Sequence, residues 1–444
     1  MKARLFLLGA GLFLLAAWPP RSHGLWFDEV YTANLVTFRV SLETLLHRVA
    51  RGDAHPPGFY VLAWAWARAT GVWGSAVAGA PEGLEAQLRL LPLALSALTA
   101  GLVFAHGGVA AGLLLLSSPA FLERAGEFRM YPLLALFWTL AYLGALWDRP
   151  RLLAWSALGA LYTHYLAPFL LAPLLGAALL RRGWALLPAL WPLLLYLPWV
   201  PLFLEQLRGG GARSFARLDP VLALEPLYRL GGLESLSLLA LLAVLLGAWR
   251  ARGPEGLLLL APFLAPLLWW GASLLVNTVG ARYYGAFLPP MALALGLALP
   301  RLSPPVRGAF LAAALAAYLG LVLSGAARPA PPDEGFREKA RIMEAVARRH
   351  PDPLVLGDEF GRLMALRYYW RGEGTLRLLT PQDVERPPVE RGALVLLRYA
   401  GFQTEPQVGM ARLLKALEAR GGLRLLDRQA GVYLYLYEEG PWAR

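Results

Sequence analysis

The sequence predicts a multi-pass α-helical membrane protein that ends in a small α/β domain, and three observations carry the prediction. Hydrophobic residues make up 57% of the 444 and charged residues only 16%, with a mean hydropathy of +0.48; soluble domains carry about 25% charged residues. Long apolar runs follow one another, separated by breaks that arginines mark. After Ser324 the chain turns polar and its hydrophobic pattern shortens. There are no cysteines, which excludes disulfides, thiol catalysis and thiolate metal sites. A net charge of +12 would point to nucleic acid in a soluble chain. In this one it reads as orientation charge on cytoplasmic loops, and no nucleic-acid partner is expected.

The first apolar run, 5–17, follows Lys2 and Arg4. No small-x-small cleavage site precedes Trp18-Pro19-Pro20, so an uncleaved first span is expected rather than a signal peptide. The loop 18–88 then stays outside. It holds an amphipathic piece, 41–50, with Leu42, Leu45, Leu46 and Val49 on one helical face. It also holds a Trp-rich piece, 59–73, that reads as an interfacial helix, because Trp64, Trp66 and Trp73 suit the headgroup level and Arg68 interrupts the run.

Further spans are expected at 90–105, 109–121, 132–147, 152–162, 166–180, 184–203, 233–249 and 257–276, then one that ends at Arg301, and a last one at 308–324: about eleven in all. This threading sets Lys2, Arg4, Arg149, Arg151, Arg181, Arg182, Arg250, Arg252, Arg301 and Arg307 on one side, the positive-inside pattern. The expected N-terminus is therefore cytoplasmic, in the cell (inner) membrane, and everything after Ser324 is extracytoplasmic. Reading 59–73 as a span would invert every later loop and lose the agreement.

The domain organisation that follows is a membrane domain, 1–325, with the outer loop 18–88, and an extracytoplasmic domain, 326–444. Between them, 328–332 reads as a Pro-rich linker. The second domain shows a helical pattern at 335–349, strands at 353–357, 393–398 and 431–437, and a helix at 413–420. It has no phosphate loop and no metal-ligand spacing.

The same threading places Asp28, Asp53, His55, Arg89, Glu127, Arg129, His164 and Arg282 on the outer side. Acidic groups beside a bilayer are expensive, so function is their usual warrant. Asp28-Glu29 could supply a general base, or could simply open a helix. In Asp53-Ala54-His55-Pro56-Pro57 an extended backbone points Asp53 and His55 to one face, and Pro56 keeps His55 out of the helical region. The bland alternative is a loop-to-helix junction with Pro at the first turn. Arg89, Arg129 and Arg282 run against the positive-inside bias. A lipid phosphate explains them, since a guanidinium pairs with phosphate through a rigid fork; snorkelling to ordinary headgroups is the alternative. His164 sits between aromatics, where a packed or capping histidine is commoner than a ligand. No metal site is assigned; His164 is the one residue weighed for it, and a divalent ion is left open. The loop at Gly209-Gly210-Gly211 reads as a hinge.

At these residues the chain resembles a known family. Phe27-Asp28-Glu29-Val30, followed by Asp53-Ala54-His55-Pro56-Pro57 and by Arg89, is similar to the first luminal loop of dolichyl-phosphate-mannose protein mannosyltransferases. Glu127-Phe128-Arg129-Met130-Tyr131 resembles the E-x-R-x-Y signature of their bacterial, family 39-like relatives. The lipid A aminoarabinose transferase is a more distant likeness, with a lysine where His55 stands. The resemblance covers residues 26 to about 182 well, 282–290 weakly, and the C-terminal domain hardly.

It implies a GT-C fold and an inverting transfer, of a hexosyl or pentosyl group, from a polyprenyl-phosphate sugar to an acceptor hydroxyl on the outer face. By resemblance Asp28 is the general base, with Glu29 beside it; Glu29 and Asp53 support acceptor and sugar binding; His55 and Arg89 lie near the lipid phosphate; Glu127, Arg129, Tyr131 and Arg282 bind substrate. Partners are then the lipid-linked donor, membrane lipids, and an acceptor that is a glycan, a lipid or a protein. The chain lacks the extra luminal domain that eukaryotic protein O-mannosyltransferases carry between their middle spans. It also lacks a D-x-D in the first loop, which argues against the metal-dependent oligosaccharyltransferase branch. The main alternative is a transporter or flippase for lipid-linked sugars, which would want charges inside spans and paired half-helices. A membrane anchor that only presents the C-terminal domain would not need the polar loop.

Overall fold

The computed structural model describes residues 1–17, 23–53, 55–76, 80–208, 219–275, 281–324, 334–389, 393–400 and 404–438. The Gly209-Gly210-Gly211 hinge and the linker 328–332 lie outside these.

In chain order the first helices are α1 (Lys2–Ala17), α2 (Phe27–Val36), α3 (Leu42–Gly52), α4 (Gly58–Ala69), α5 (Leu84–Leu116), α6 (Pro119–Ala125) and α7 (Tyr131–Leu146). They are followed by α8 (Pro150–Thr163), α9 (Ala167–Arg182), α10 (Val200–Arg208), α11 (Glu234–Ala251), α12 (Gly253–Leu275), α13 (Tyr284–Ala298) and α14 (Pro304–Leu323). The remainder alternates: α15 (Phe336–Arg349), β1 (Leu354–Gly357), α16 (Phe360–Tyr369), β2 (Thr375–Leu378), α17 (Pro381–Glu385), β3 (Ala393–Tyr399), α18 (Glu405–Arg420), β4 (Leu423–Gln429) and β5 (Val432–Glu438).

Two compact units form. The first takes Met1–Arg21, Ser41–Ala63 and Arg89–Pro329; the second takes Ser22–Val40, Trp64–Leu88 and Ala330–Arg444. Parts of the expected outer loop, 18–88, thus group with the C-terminal segment.

In the first unit the apolar runs at 132–147, 152–162, 166–180, 233–249, 257–276 and 308–324 fall on α7, α8, α9, α11, α12 and α14. The expected break between 90–105 and 109–121 lies inside α5 at Gly108, whose φ of 82° and ψ of 176° leave the helix; only glycine adopts that geometry cheaply. The second half stops at Leu116 and a separate short helix, α6, opens at Pro119. The expected span at 184–203 falls on a 3-10 segment, Gly183–Trp199, and on the start of α10. Pro188, Pro192 and Pro198 each remove a backbone donor from this segment. Between the expected spans 184–203 and 233–249, α10 continues to Arg208 and Pro220–Leu227 is 3-10.

The core of this unit centres on Phe104, Trp138 and Trp269, all fully buried, with Trp269 stacked on Phe287 at 5.3 Å. The first helix joins it through Phe13 against Phe121 and through the Tyr318 hydroxyl, which donates to the Leu12 carbonyl at 2.9 Å. Trp184, Trp191 and Leu194 on the 3-10 segment, and Leu238, Leu242 and Trp249 on α11, point outward, as lipid-facing side chains must. Five helical stretches among the described residues are long and apolar enough to cross a bilayer: Leu84–Leu116, Ala167–Gln206, Glu234–Ala251, Gly253–Leu275 and Pro304–Leu323. The protein is a multi-pass membrane protein.

In the second unit one five-stranded sheet runs in the order β2-β1-β3-β5-β4. The strand β1 pairs in parallel with β2 and β3, while β3–β5 and β5–β4 are antiparallel. All four residues of β1 are buried, as a central strand covered on both faces requires. Edge strand β4 carries Arg424, Asp427 and Arg428 and a register shift between Leu425 and Asp427, devices that discourage edge-to-edge association.

Candidate active site

The polar cluster of the first unit starts at the C-terminus of α3. Ser41 caps that helix by accepting the Thr44 N–H at 3.1 Å. Leu45 and Val49 are fully buried, but Leu42 and Leu46 are exposed, so the expected four-residue face is half of that. Asp53 then takes an extended backbone, φ −127° and ψ 159°, and its Oδ1 lies 2.9 Å from His55 Nδ1. Two prolines lead straight into α4, so the loop-to-helix junction is present as well. Gly58 opens that helix against α8, where a Cβ would stand 2.6 Å from the Tyr162 carbonyl oxygen.

Tyr60 donates from its hydroxyl to Asp53 Oδ2, and Arg129 Nη1 reaches that hydroxyl at 3.4 Å. Burial alone would raise the Asp53 carboxyl. The His55 imidazole bonded to it, and behind it Arg129 and Tyr60, outweigh that and hold it below its ordinary value. The backbone carbonyl of Asp53 accepts from Gln206 Nε2 at 2.7 Å. Gln206 is fixed by the Tyr165 hydroxyl, which in turn accepts from Trp199 Nε1 at 3.0 Å.

His164 faces the same cluster, 5.1 Å from the His55 ring, 5.9 Å from Tyr131 and 5.0 Å from Tyr283 between centroids. Its Nδ1 accepts the Leu166 N–H at 2.9 Å. Burial, with His55, Arg129 and Arg282 nearby, lowers its pKa well below that of a free imidazole. A neutral ring that accepts at Nδ1 carries its proton at Nε2. That Nε2, and the Tyr131 hydroxyl, are buried and have no hydrogen-bond partner among the described residues. Arg282 lies over the Tyr283 ring at 5.7 Å. Among the described residues no group of three or more His, Asp or Glu side chains is gathered as a metal site.

Of the expected residues, Asp53, His55, Arg129, Tyr131, His164 and Arg282 are thus brought together. Glu127 is buried and pairs with Arg124 at 3.0 Å. Arg89 is buried at 2% exposure in α5. Tyr60, Arg124, Gln206 and Tyr165 were not signalled by the sequence. Only Tyr60 had a local cue, since Tyr two residues into a helix that follows His-Pro-Pro can turn back over the loop.

Asp28 and Glu29 belong to the second unit, in the first turn of α2, where carboxylates meet the positive end of the helix dipole. Asp28 is half-buried. Glu29 is fully buried and accepts the Trp26 N–H at 3.4 Å. Asp28 is not the N-cap residue; Trp26 occupies that position.

The fold of this chain is similar to that of several solved proteins. ArnT from Cupriavidus metallidurans in the apo state matches with a TM-score of 0.61 at 13% identity, over 99% of this chain and 98% of that one. The same protein bound to undecaprenyl phosphate gives 0.56 at 15% identity, over 99% of both chains. The arabinofuranosyltransferase AftD from Mycobacteria gives 0.50 at 14% identity, over 99% of this chain and 40% of that one. No family model matches the chain, and no curated protein matches it. The chain has the GT-C fold. At 13–15% identity the likeness is one of fold.

Proposed function

We propose that this protein is an inverting glycosyltransferase that moves a sugar from a polyprenyl-phosphate donor to an acceptor hydroxyl on the outer face of the cell membrane. The observation that carries the reading is the buried Asp53–His55–Tyr60–Arg129 cluster, with the unpartnered His164 Nε2 and Tyr131 hydroxyl beside it. Donors and cations collected in an apolar body suit a phosphate leaving group. The fold adds support, since a similar chain has been solved with undecaprenyl phosphate bound.

In this reading Asp28 takes the acceptor proton while the acceptor oxygen attacks the anomeric carbon. The bond from that carbon to the phosphate oxygen breaks, and the prenyl phosphate leaves as an anion. Arg89, Arg129, Arg282 and His55 receive the charge that develops there. His164, kept neutral, donates from Nε2 and so fits the phosphate better than a metal. Asp53, Glu127 and Tyr131 orient the sugar. The half-buried Asp28 has the access a base needs, while Glu29 is spent on the Trp26 amide, which supports Asp28 as base and Glu29 as neighbour. The eleven spans, the cytoplasmic N-terminus and the domain boundary near 325 belong to the same reading.

The test is transfer from radiolabelled polyprenyl-phosphate sugars in membranes that carry the protein. Label should move to an acceptor pool. In Asp28→Asn it should slow by about 10²–10⁴-fold, the usual worth of a general base, with donor binding kept. An active Asp28→Asn beside a dead Glu29→Gln would reverse the two roles. Two active variants would remove the loop from the chemistry and favour a flippase for the lipid-linked sugar.

A further inference from the structure

We propose that the C-terminal segment is a positioning device for the first turn of α2, with Glu334, Arg362 and Tyr369 as its positioning residues. The inference rests on the reading of Asp28 as the base. The first backbone N–H groups of any helix lack intrahelical acceptors and are normally met by a Ser, Thr, Asp or Asn at the cap. Here the cap residue is Trp26, whose side chain offers no acceptor oxygen; Glu29 accepts only the Trp26 N–H, at 3.4 Å.

The acceptor comes instead from far along the chain. The Phe27 N–H donates to Glu334 Oε2 at 3.0 Å, and one residue before the cap the Leu25 N–H donates to the Tyr369 hydroxyl at 2.8 Å. At the other end of α2 the Thr37 and Tyr368 hydroxyls meet at 3.1 Å. Neither Glu334 nor Tyr369 is free to wander. Arg362 Nη2 holds Glu334 Oε1 at 2.9 Å, both side chains being 4% exposed. The guanidinium lies 4.1 Å from the Phe27 ring centre and 3.5 Å from that of Tyr399. Tyr369 donates to Glu85, which Arg337 anchors at 2.8 Å. A buried ion pair is a poor source of net stability, because removing two charges from water offsets their attraction. It is a good source of fixed geometry, and its geometry here ends on the backbone of the residue before Asp28.

The test uses the full-length chain in lipid nanodiscs. Glu334→Ala should speed amide exchange at the start of α2 by about tenfold, the worth of one lost hydrogen bond of this kind. It should lower kcat by about tenfold or more, as small misplacements of a reacting group do, and leave the KM for donor unchanged. Glu334→Gln, whose amide oxygen still accepts the Phe27 N–H, should recover most of both. Should Glu334→Ala not fold, Tyr369→Phe removes a single hydroxyl and should show the same pattern more weakly. Unchanged exchange in α2 would overturn the inference whether or not the protein transfers sugar. Faster exchange with unchanged kcat would overturn it too, leaving a merely local cap. A wild-type protein without transfer activity, but with the exchange response intact, would fail the glycosyltransferase reading and not the clamp.

Discussion

Asp53 shows how much one carboxylate depends on neighbours that arrive from different helices. His55 is fixed to it by local backbone geometry, Tyr60 comes from the next helix and Arg129 from the entry to α7. Because its folded pKa is lowered, the stability it contributes is present above its ordinary value and is lost as pH falls through the lowered one. Arg129→Gln takes away one of the cations responsible. The acid limb of the pH–rate profile, followed by label transfer, should then move to higher pH. Arg89 and Arg282 carry a separate expectation: Arg89→Ala or Arg282→Ala should raise the KM for lipid donor by about tenfold or more, the cost of a charged hydrogen bond of ~1.5–3 kcal/mol. Unchanged donor kinetics in both would leave snorkelling as the better account.

At the scale of elements, two junctions matter. The approach of α4 to α8 has no room for a side chain at residue 58, where a Cβ would meet the Tyr162 carbonyl oxygen. Gly58→Ala should cost about 1–3 kcal/mol, as overpacked sites do, read as a lower Tm. It should also tilt Tyr60 away from Asp53. In the second unit, Asp358 follows β1 and accepts the Tyr399 N–H with both oxygens, at 2.9 and 3.1 Å. Burial, and after it the neighbouring Glu359, push its carboxyl up to about 7 against that hydrogen bond. The folded chain therefore keeps a proton that the unfolded chain gives up. Stability from this group is full below the ordinary carboxylate value and declines as pH rises through about 7. Asp358→Asn still accepts the amide and should flatten the fall in Tm between about pH 5 and pH 8.

For the whole molecule the expectation is orientation. A single cysteine at Arg151 or Arg250 should resist an impermeant thiol reagent in intact cells, and one at Glu405 should react. With no native cysteine in the chain, the background is clean. Reaction of the first pair, with Glu405 protected, would invert the threading and with it the side on which the donor is met.

The class was legible from composition and spacing, because burying apolar runs in lipid is a bulk property that both report directly. The Asp53–His55 pair was legible as well, because the two residues stand close in the chain beside two prolines and their side chains do meet. Within the α/β unit the sequence showed β1, β3 and β5, which are apolar enough to stand out, and missed β2, β4 and α16, which are short or polar at the sheet edge. Three contacts needed the folded chain to be seen: Glu127 pairs with Arg124, Gln206 holds the Asp53 backbone, and α2 groups with the C-terminal segment in one unit. Those contacts join residues far apart in the chain or choose among several nearby charges. The choice is made by packing and by which buried polar groups must find partners, and neither is written in local periodicity.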